Sequence, residues 1–353
     1  MLKAVLESEE RIMHFQVLGK LMGHLAQEKA WPGYACGLGK EEYEALEAVI
    51  QSQIHRNGWF TVKEIRRSLN AWSVELTSEN LKAWTSKYPI DSQSPKKIGL
   101  IMAGNIPLVG FHDLLSTLLC GHIALVKTSS NDDQLIRSFI KVLIMQDERW
   151  NEMIHWQDGP MKGHVAVIAT GSNNTSRYFE QYFANVPHII RKNRTAVAIL
   201  DGTETEEEMA SLAEDIFAYF GLGCRNVTKL YLPMDFDLDR FFKAIFPYNR
   251  IAEHNKYANN YDYHKALYLL NEDDLLENGF LLLKEDRSLH SPVACMFFER
   301  YADEGTLRKE LETVKEQIQC IVSKKDVPFG EAQKPGLTDY ADGEDTMNFL
   351  CGL

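Results

Sequence analysis

Apolar positions along the chain fall into two kinds of run, and from Lys97 onward the two alternate. Residues 1 to about 95 read as helices with connecting segments, Ser78–Trp84 being one helix candidate. Beyond them, short continuous apolar runs predict buried strands at Lys97–Ala103 (KIGLIMA), His122–Lys127 (HIALVK), His164–Thr170 (HVAVIAT) and His188–Arg191 (HIIR). Amphipathic stretches between them predict helices at Phe111–Gly121, near 132–146 and from about Asn173 to Ala184. Strands apolar on both faces, separated by amphipathic helices, predict a parallel sheet covered on both sides, a Rossmann-like half.

A second α/β unit starts with the strand Ala196–Leu200. Thr205 and Glu208 have capping-box spacing, and Met209, Leu212, Ala213, Ile216, Phe217 and Phe220 then recur on one helical face. Gly221 is the expected helix stop, since glycine tolerates a left-handed conformation at the residue after a helix. A strand follows at Val227–Pro233, then helices at 236–247 and 264–271, a strand at 293–298, a helix at 303–315 and a short strand at 320–322. The tail 326–353 is rich in Gly and Asp and lacks strong periodicity. The expected fold class is α/β, with a helical N-terminal segment, a parallel-sheet half and a second α/β half.

Composition narrows the function. A net charge of −12 argues against nucleic acid as a partner, because phosphate-backbone affinity depends on clustered Lys and Arg. The longest apolar run, Ile98–Phe111, contains Gly, Pro and Asn105 and is shorter than the roughly 20 residues a bilayer requires, so no membrane span is expected. Acidic residues stand where a signal peptide needs an apolar core, which points to the cytoplasm. The cysteines at 36, 120, 224, 295, 320 and 351 are scattered without metal-ligand spacing and are expected to be thiols, with no metal site.

Four short stretches can carry chemistry. In Gly221–Asn226 (GLGCRN), two glycines, Gly221 and Gly223, precede Cys224 and Arg225 follows it; the glycines admit close approach and a nearby cation favours a thiolate. Ala103–Leu108 (AGNIPL) puts Asn105 at the exit of the first strand, where its amide can meet a substrate carbonyl or form an Asx turn before Pro107. Val126–Ser130 (VKTSS) offers Lys127, Ser129 and Ser130 to a dinucleotide's ribose and phosphate, although a solvated lysine is the commoner explanation at a strand exit. Ala169–Ser172 (ATGS) opens a helix with Gly171 and Ser172, where pyrophosphate could approach.

Together with NNYDYHKA and VPFGEAQKPGL, these pieces resemble the aldehyde dehydrogenase superfamily. They resemble more closely its acyl-CoA reductase family, typified by the fatty acid reductase subunit of bacterial bioluminescence systems. The resemblance covers Lys97 to the C-terminus and implies an aldehyde-dehydrogenase-like fold in four segments. These are an N-terminal helical segment (1–96) packing on the cofactor domain, a dinucleotide-binding domain (97–194), a nucleophile-bearing catalytic domain (195–325) and a C-terminal segment (326–353) returning toward the active site. It implies Cys224 as nucleophile, Asn105 as oxyanion donor, Lys127 at the adenosine ribose, Gly171 and Ser172 beside the pyrophosphate, and Pro328–Gly330 as a loop on the substrate side.

Departures from the superfamily are informative. The glutamate that activates water in hydrolytic members would fall near Ile190 or Arg191, where there is no carboxylate. The glutamate often found three residues after the ribose-binding lysine is Ser130 here, which removes repulsion toward a 2′-phosphate and points to NADPH. The second ribose-contacting glutamate, expected ahead of Pro292, is replaced by Arg287-Ser288-Leu289-His290. The implied activity is NADPH-dependent reduction of a fatty acyl-CoA or other acyl thioester to aldehyde through an S-acyl cysteine. The alternatives are an acid-forming aldehyde dehydrogenase and a non-reducing acyl relay. The resemblance also implies an acyl-activating synthetase as partner and a homo-oligomer.

Overall fold

Where the apolar runs are continuous the chain forms strands, and where they recur every three or four residues it forms helices. The computed structural model describes residues 6–91 and 94–353. The N-terminal segment contributes helices α1 (Ser8–Ala26), α2 (Lys40–Ser52), α3 (Val62–Glu75) and α4 (Ser78–Thr85). The first sheet follows as β1 (Lys97–Ile101), α5 (Phe111–Leu119), β2 (Ile123–Lys127), α6 (Asp133–Gln146), α7 (Trp150–Met153), β3 (Ile154–Trp156), β4 (Ala166–Thr170), α8 (Asn173–Tyr182) and β5 (His188–Arg191). The second comprises β6 (Thr195–Ile199), α9 (Glu206–Phe217), β7 (Val227–Pro233), α10 (Leu238–Ile245), α11 (Asn255–Leu270), β8 (Leu276–Glu277), β9 (Leu282–Glu285), β10 (Cys295–Tyr301), α12 (Glu304–Thr313) and β11 (Ile318–Val322). Helix α13 (Thr346–Cys351) closes the chain, and no described helix is long and apolar enough to cross a membrane.

The described residues form two compact units. One contains the chain up to Lys192 together with Gly336–Leu353; the other is Asn193–Pro335. The first holds an all-parallel sheet in the order β3-β2-β1-β4-β5. Chain order reverses direction between β1 and β4, which makes a crevice beyond their carboxyl ends the natural ligand position. Its core joins Ile98, Leu100, Ala124 and Val126 of the strands to Phe111, Leu115, Phe139 and Leu143 of α5 and α6, and to Phe15, Leu18 and Met22 of α1. The second holds a mixed sheet, β11-β6-β7-β10-β9-β8, parallel except for the β8–β9 edge pair. There Leu212, Ala213, Ile216 and Phe217 of α9 pack on Ala196, Ala198, Leu230 and Leu232. The α/β class expected from the sequence is the one observed.

Some elements depart from the periodic reading. Helix α9 ends at Phe217, short of Phe220: Ala218 is extended, and Tyr219, Phe220 and Gly221 are all left-handed, with φ of 52°, 58° and 78°. Helix α11 starts at Asn255, well before 264, because the His254 side chain accepts from the Tyr257 amide and caps a polar-rich first turn. Strands β3, β8 and β9 have no counterpart in that reading; with only 2–4 residues each, they owe their form to neighbours in the sheet.

Candidate active site

In the first unit the candidate residues gather along the carboxyl ends of adjacent strands. Asn105 is exposed in the loop after β1; Ser129 and Ser130 follow β2, and Gly171 and Ser172 follow β4. The loops touch tightly. A side chain at Gly104 would meet Ser129 Cβ and Oγ at 2.7 Å, so only glycine lets the two loops lie together. Gly171 is similar, a Cβ there falling 3.0 Å from Thr175 Cβ and 3.1 Å from the Phe179 ring. Ser172 caps α8, its Oγ accepting from the Thr175 amide at 3.3 Å.

Two buried groups hold the Asn105 loop. Ser68 of α3 donates to the Pro107 carbonyl at 2.9 Å, and Asp132 accepts from the Leu108 amide at 2.7 Å. Leu108 is left-handed at φ 59°, a conformation costing a non-glycine residue about 1 kcal/mol or more, so the loop keeps it only under such restraint. Asp132 is buried and its Oδ1 has no partner among the described residues. Burial pushes its carboxyl up to about 8, against the pull of the Leu108 amide.

Lys127 ends β2 with its Nζ donating to the Gly159 carbonyl at 3.1 Å. It borders a cavity of about 600 Å³ lined by Ile101, Met161, Tyr178, Phe179 and Tyr182. An aromatic and aliphatic hollow with a lysine at its rim, close to the glycine-bearing start of a ten-residue helix, fits an adenosine and its phosphates. Arg191, one of the two positions near which the superfamily's water-activating glutamate is expected, is buried and paired with Asp113 of α5, and donates to Thr346 Oγ1 at 2.8 Å. The position offers a neutralised cation, and no proton acceptor.

In the second unit, Cys224 lies at the amino end of β7, half buried, in the tight turn Gly223–Asn226, which the Asn226 amide closes on the Gly223 carbonyl at 3.1 Å. Asn226, fully buried, is the keystone residue: its Oδ1 accepts from Gly223 N at 2.7 Å, while its Nδ2 donates to the carbonyls of Asp215, Ile216 and Ala218 at 3.0, 3.3 and 2.9 Å. One side chain thus satisfies the open end of α9 and fixes the turn carrying the thiol.

The loop Pro328–Gly330 is built into the same structure. Asp215, on the flank of the apolar face of α9, is fully buried and accepts from Gly330 N at 2.6 Å and Ala332 N at 2.9 Å. Burial pushes its carboxyl up to about 6 while these two amides hold it down. Gln333 completes the brace by donating to the Arg225 carbonyl at 2.8 Å. Nearby, Cys320 of β11 is pushed up to about 11 by burial, Arg225 pulling the other way, so it remains a thiol at neutral pH. Asp215, Asn226 and Gln333 were not singled out in the sequence. The one available signal was a carboxylate beside the apolar stripe of α9.

Comparison with known proteins places these features. Residues 78–239 match the family described as acyl-CoA reductase (LuxC), a stretch that holds the motifs from Ala103 to Asn226, while NNYDYHKA and VPFGEAQKPGL lie beyond it. A long-chain acyl-protein thioester reductase from Aliivibrio fischeri is 26% identical over 216 residues, 55% of this chain. The match spans 44% of that relative, less than half its length. Among solved structures, an oxidoreductase from Marinobacter aquaeolei is similar with a TM-score of 0.63 at 12% identity, over 91% of this chain and 74% of that one. The putative aldehyde dehydrogenase PutA from Anabaena variabilis gives a TM-score of 0.61 at 14% identity, over 93% and 76%. A Mycobacterium tuberculosis aldehyde dehydrogenase complexed with NAD+ gives 0.57 at 13%, over 88% and 72%. The fold is that of aldehyde dehydrogenases.

Proposed function

From the match to the acyl-CoA reductase family, we propose that this protein reduces a fatty acyl thioester to its aldehyde with NADPH, through an acyl group carried on Cys224. The observation that supports this reading best is the braced Gly223–Asn226 turn: a half-buried thiol directly after Gly223, in a turn and adjoining loop held by the buried groups of Asn226, Asp215 and Gln333.

The Cys224 thiolate attacks the thioester carbonyl carbon, and the developing oxyanion is held by the Cys224 backbone N–H and the amide of Asn105. Collapse breaks the bond to the donor sulfur, which leaves as a thiolate and takes a proton from solvent. No carboxylate stands at Ile190 or Arg191, near where the superfamily's water-activating glutamate is expected, so the acyl group persists on sulfur instead of hydrolysing. NADPH, when bound, supplies hydride to this carbonyl. The resulting thiohemiacetal collapses, restoring the Cys224 thiolate and releasing aldehyde. Lys127, Ser129, Gly171 and Ser172 hold the adenosine and pyrophosphate, and the absence of a carboxylate at Ser130 leaves room for a 2′-phosphate. The donor is a coenzyme A thioester, or an acyl group handed over by a synthetase.

Intact-mass spectrometry after incubation with a series of acyl-CoAs tests the proposal. The wild-type protein is expected to gain one acyl group located on Cys224, and Cys224→Ala to lose both acylation and at least about 10³-fold in aldehyde formation. Undiminished aldehyde production by Cys224→Ala would overturn the mechanism. Acylation with no saturable NADPH binding would reassign the chain as a non-reducing acyl relay.

A further inference from the structure

We propose that Cys120 and Cys351 form a redox-active pair, at which a peroxide closes a disulfide that staples the C-terminal helix α13 to the end of α5. Both residues belong to the first unit, and the proposal is independent of the reaction assigned to Cys224. Their Sγ atoms lie 3.7 Å apart, and Met347 Sδ is 3.6 Å from that of Cys120. Bond formation therefore requires the sulfurs to close from contact distance to the roughly 2.0 Å of an S–S bond.

The contact is held from both sides. Cys120 caps the carboxyl end of α5 and is buried, whereas Cys351, the last residue of α13, is half buried. Helix α13 is fixed in place by three polar ties. Tyr88 donates to Asp345 at 2.9 Å, Arg191 donates to Thr346 Oγ1 at 2.8 Å, and the His122 ring bonds the Leu350 carbonyl at 3.0 Å. Since Arg191 also pairs with Asp113 of α5, its guanidinium bridges the first turns of the two helices, and the thiols meet at their far ends.

The pair is chemically asymmetric, as a reactive pair needs to be. The hydrogen bond between the two thiols holds the Cys351 thiol below its ordinary value. The same hydrogen bond, together with burial, raises Cys120. Cys351 is thus the more acidic and more accessible sulfur, and Cys120 the resolving thiol. The Cys351 thiolate attacks a peroxide oxygen, breaking the O–O bond; one oxygen stays on sulfur as a sulfenic acid and the other leaves as water or alcohol after taking a proton. Cys120 sulfur then attacks the sulfenic sulfur, expelling water and forming the disulfide. The two thiols lose two electrons and two protons in all, and the peroxide gains them.

The test uses the full chain treated with hydrogen peroxide, alkylated under denaturing conditions, digested and mapped by mass spectrometry. The expected product is a cross-linked peptide pair containing Cys120 and Cys351, two hydrogens lighter than the separate thiol peptides and split by dithiothreitol. Cys351→Ser is expected to lose the cross-link and leave Cys120 alkylatable; Cys120→Ser is expected to let Cys351 proceed to sulfinic acid. If a variant fails to fold, the wild-type map decides alone. The proposal falls if both cysteines stay alkylatable under peroxide that oxidises Cys224, if Cys351 reaches sulfinic acid in the wild type while Cys120 stays a thiol, or if either pairs with a different cysteine.

Discussion

The two units hold their candidate residues in opposite ways. In the first, the residues stand at the carboxyl ends of β1, β2 and β4, largely exposed, on loops shaped by what is missing: a side chain at Gly104, where two loops meet, and at Gly171, where a loop folds onto its own helix α8. A single buried carboxyl, Asp132, and one hydroxyl, Ser68, brace the Asn105 loop. In the second, Cys224 stands at the amino end of its strand, and its turn is held by what is present, the buried polar side chains of Asn226, Asp215 and Gln333. The difference follows from physical chemistry. Each buried polar group left unpaired costs about 1–3 kcal/mol, so a web of them penalises every geometry but one, which suits a nucleophile. A glycine-shaped open edge imposes no such penalty and lets a large ligand enter and leave.

Substitutions at the two kinds of position should separate sharply. The largest effect is expected at Asn226→Ala, which strips partners from the Gly223 amide and from three carbonyls at the end of α9. Urea unfolding should show a loss of about 3 kcal/mol, accompanied by loss of Cys224 acylation. A loss below about 1 kcal/mol would erase the contrast between the units.

Asp132→Asn keeps an acceptor for Leu108 but removes a titrating group. With its carboxyl pushed up to about 8 in the fold and near 4 when unfolded, Asp132 binds a proton in the folded state that the unfolded chain has released. Wild-type stability should therefore decline as pH rises from about 4 to about 8, by at most about 1.4 kcal/mol per pH unit from this group. Urea midpoints measured across that window should show the variant gaining on the wild type with rising pH. Parallel curves for the two proteins would remove Asp132 from the account.

The smallest effect belongs to Lys127→Ala. Its hydrogen bond to Gly159 is exposed, so stability should stay within about 0.5 kcal/mol of wild type. NADPH affinity should weaken by about fivefold, close to 1 kcal/mol. Fluorescence titration checks the affinity, and a stability loss as large as that of Asn226→Ala would show that Lys127 braces the open edge as Asn226 braces its turn.

Much of the frame was legible in the residues because the signals involved are local. Continuous apolar runs marked β1, β2, β4 and β7, and the Thr205–Glu208 capping box marked the start of α9, where both of its hydrogen bonds are found. The end of α9 was misjudged because Phe220 continues the helical period, while the Asn226 side chain takes up the carbonyls of Asp215, Ile216 and Ala218 instead. Cys224 stood out through the two glycines ahead of it and the arginine after it. The groups that brace it did not, since Asp215 and Gln333 reach it only through the folded loop 328–333.

The sequence by itself determined the alternation of strands and helices, the parallel character of the first sheet and the glycine-rich approach to Cys224. These depend on backbone sterics and on burial periods that repeat within a few residues. Tertiary structure alone decided the partners. It set the amides of Gly330 and Ala332 on Asp215, tied Arg191 to Asp113 and Thr346, and brought Cys120 against Cys351. Such pairings join residues far apart in the chain, and their geometry exists only after helices have packed on sheets and the intervening loops have closed.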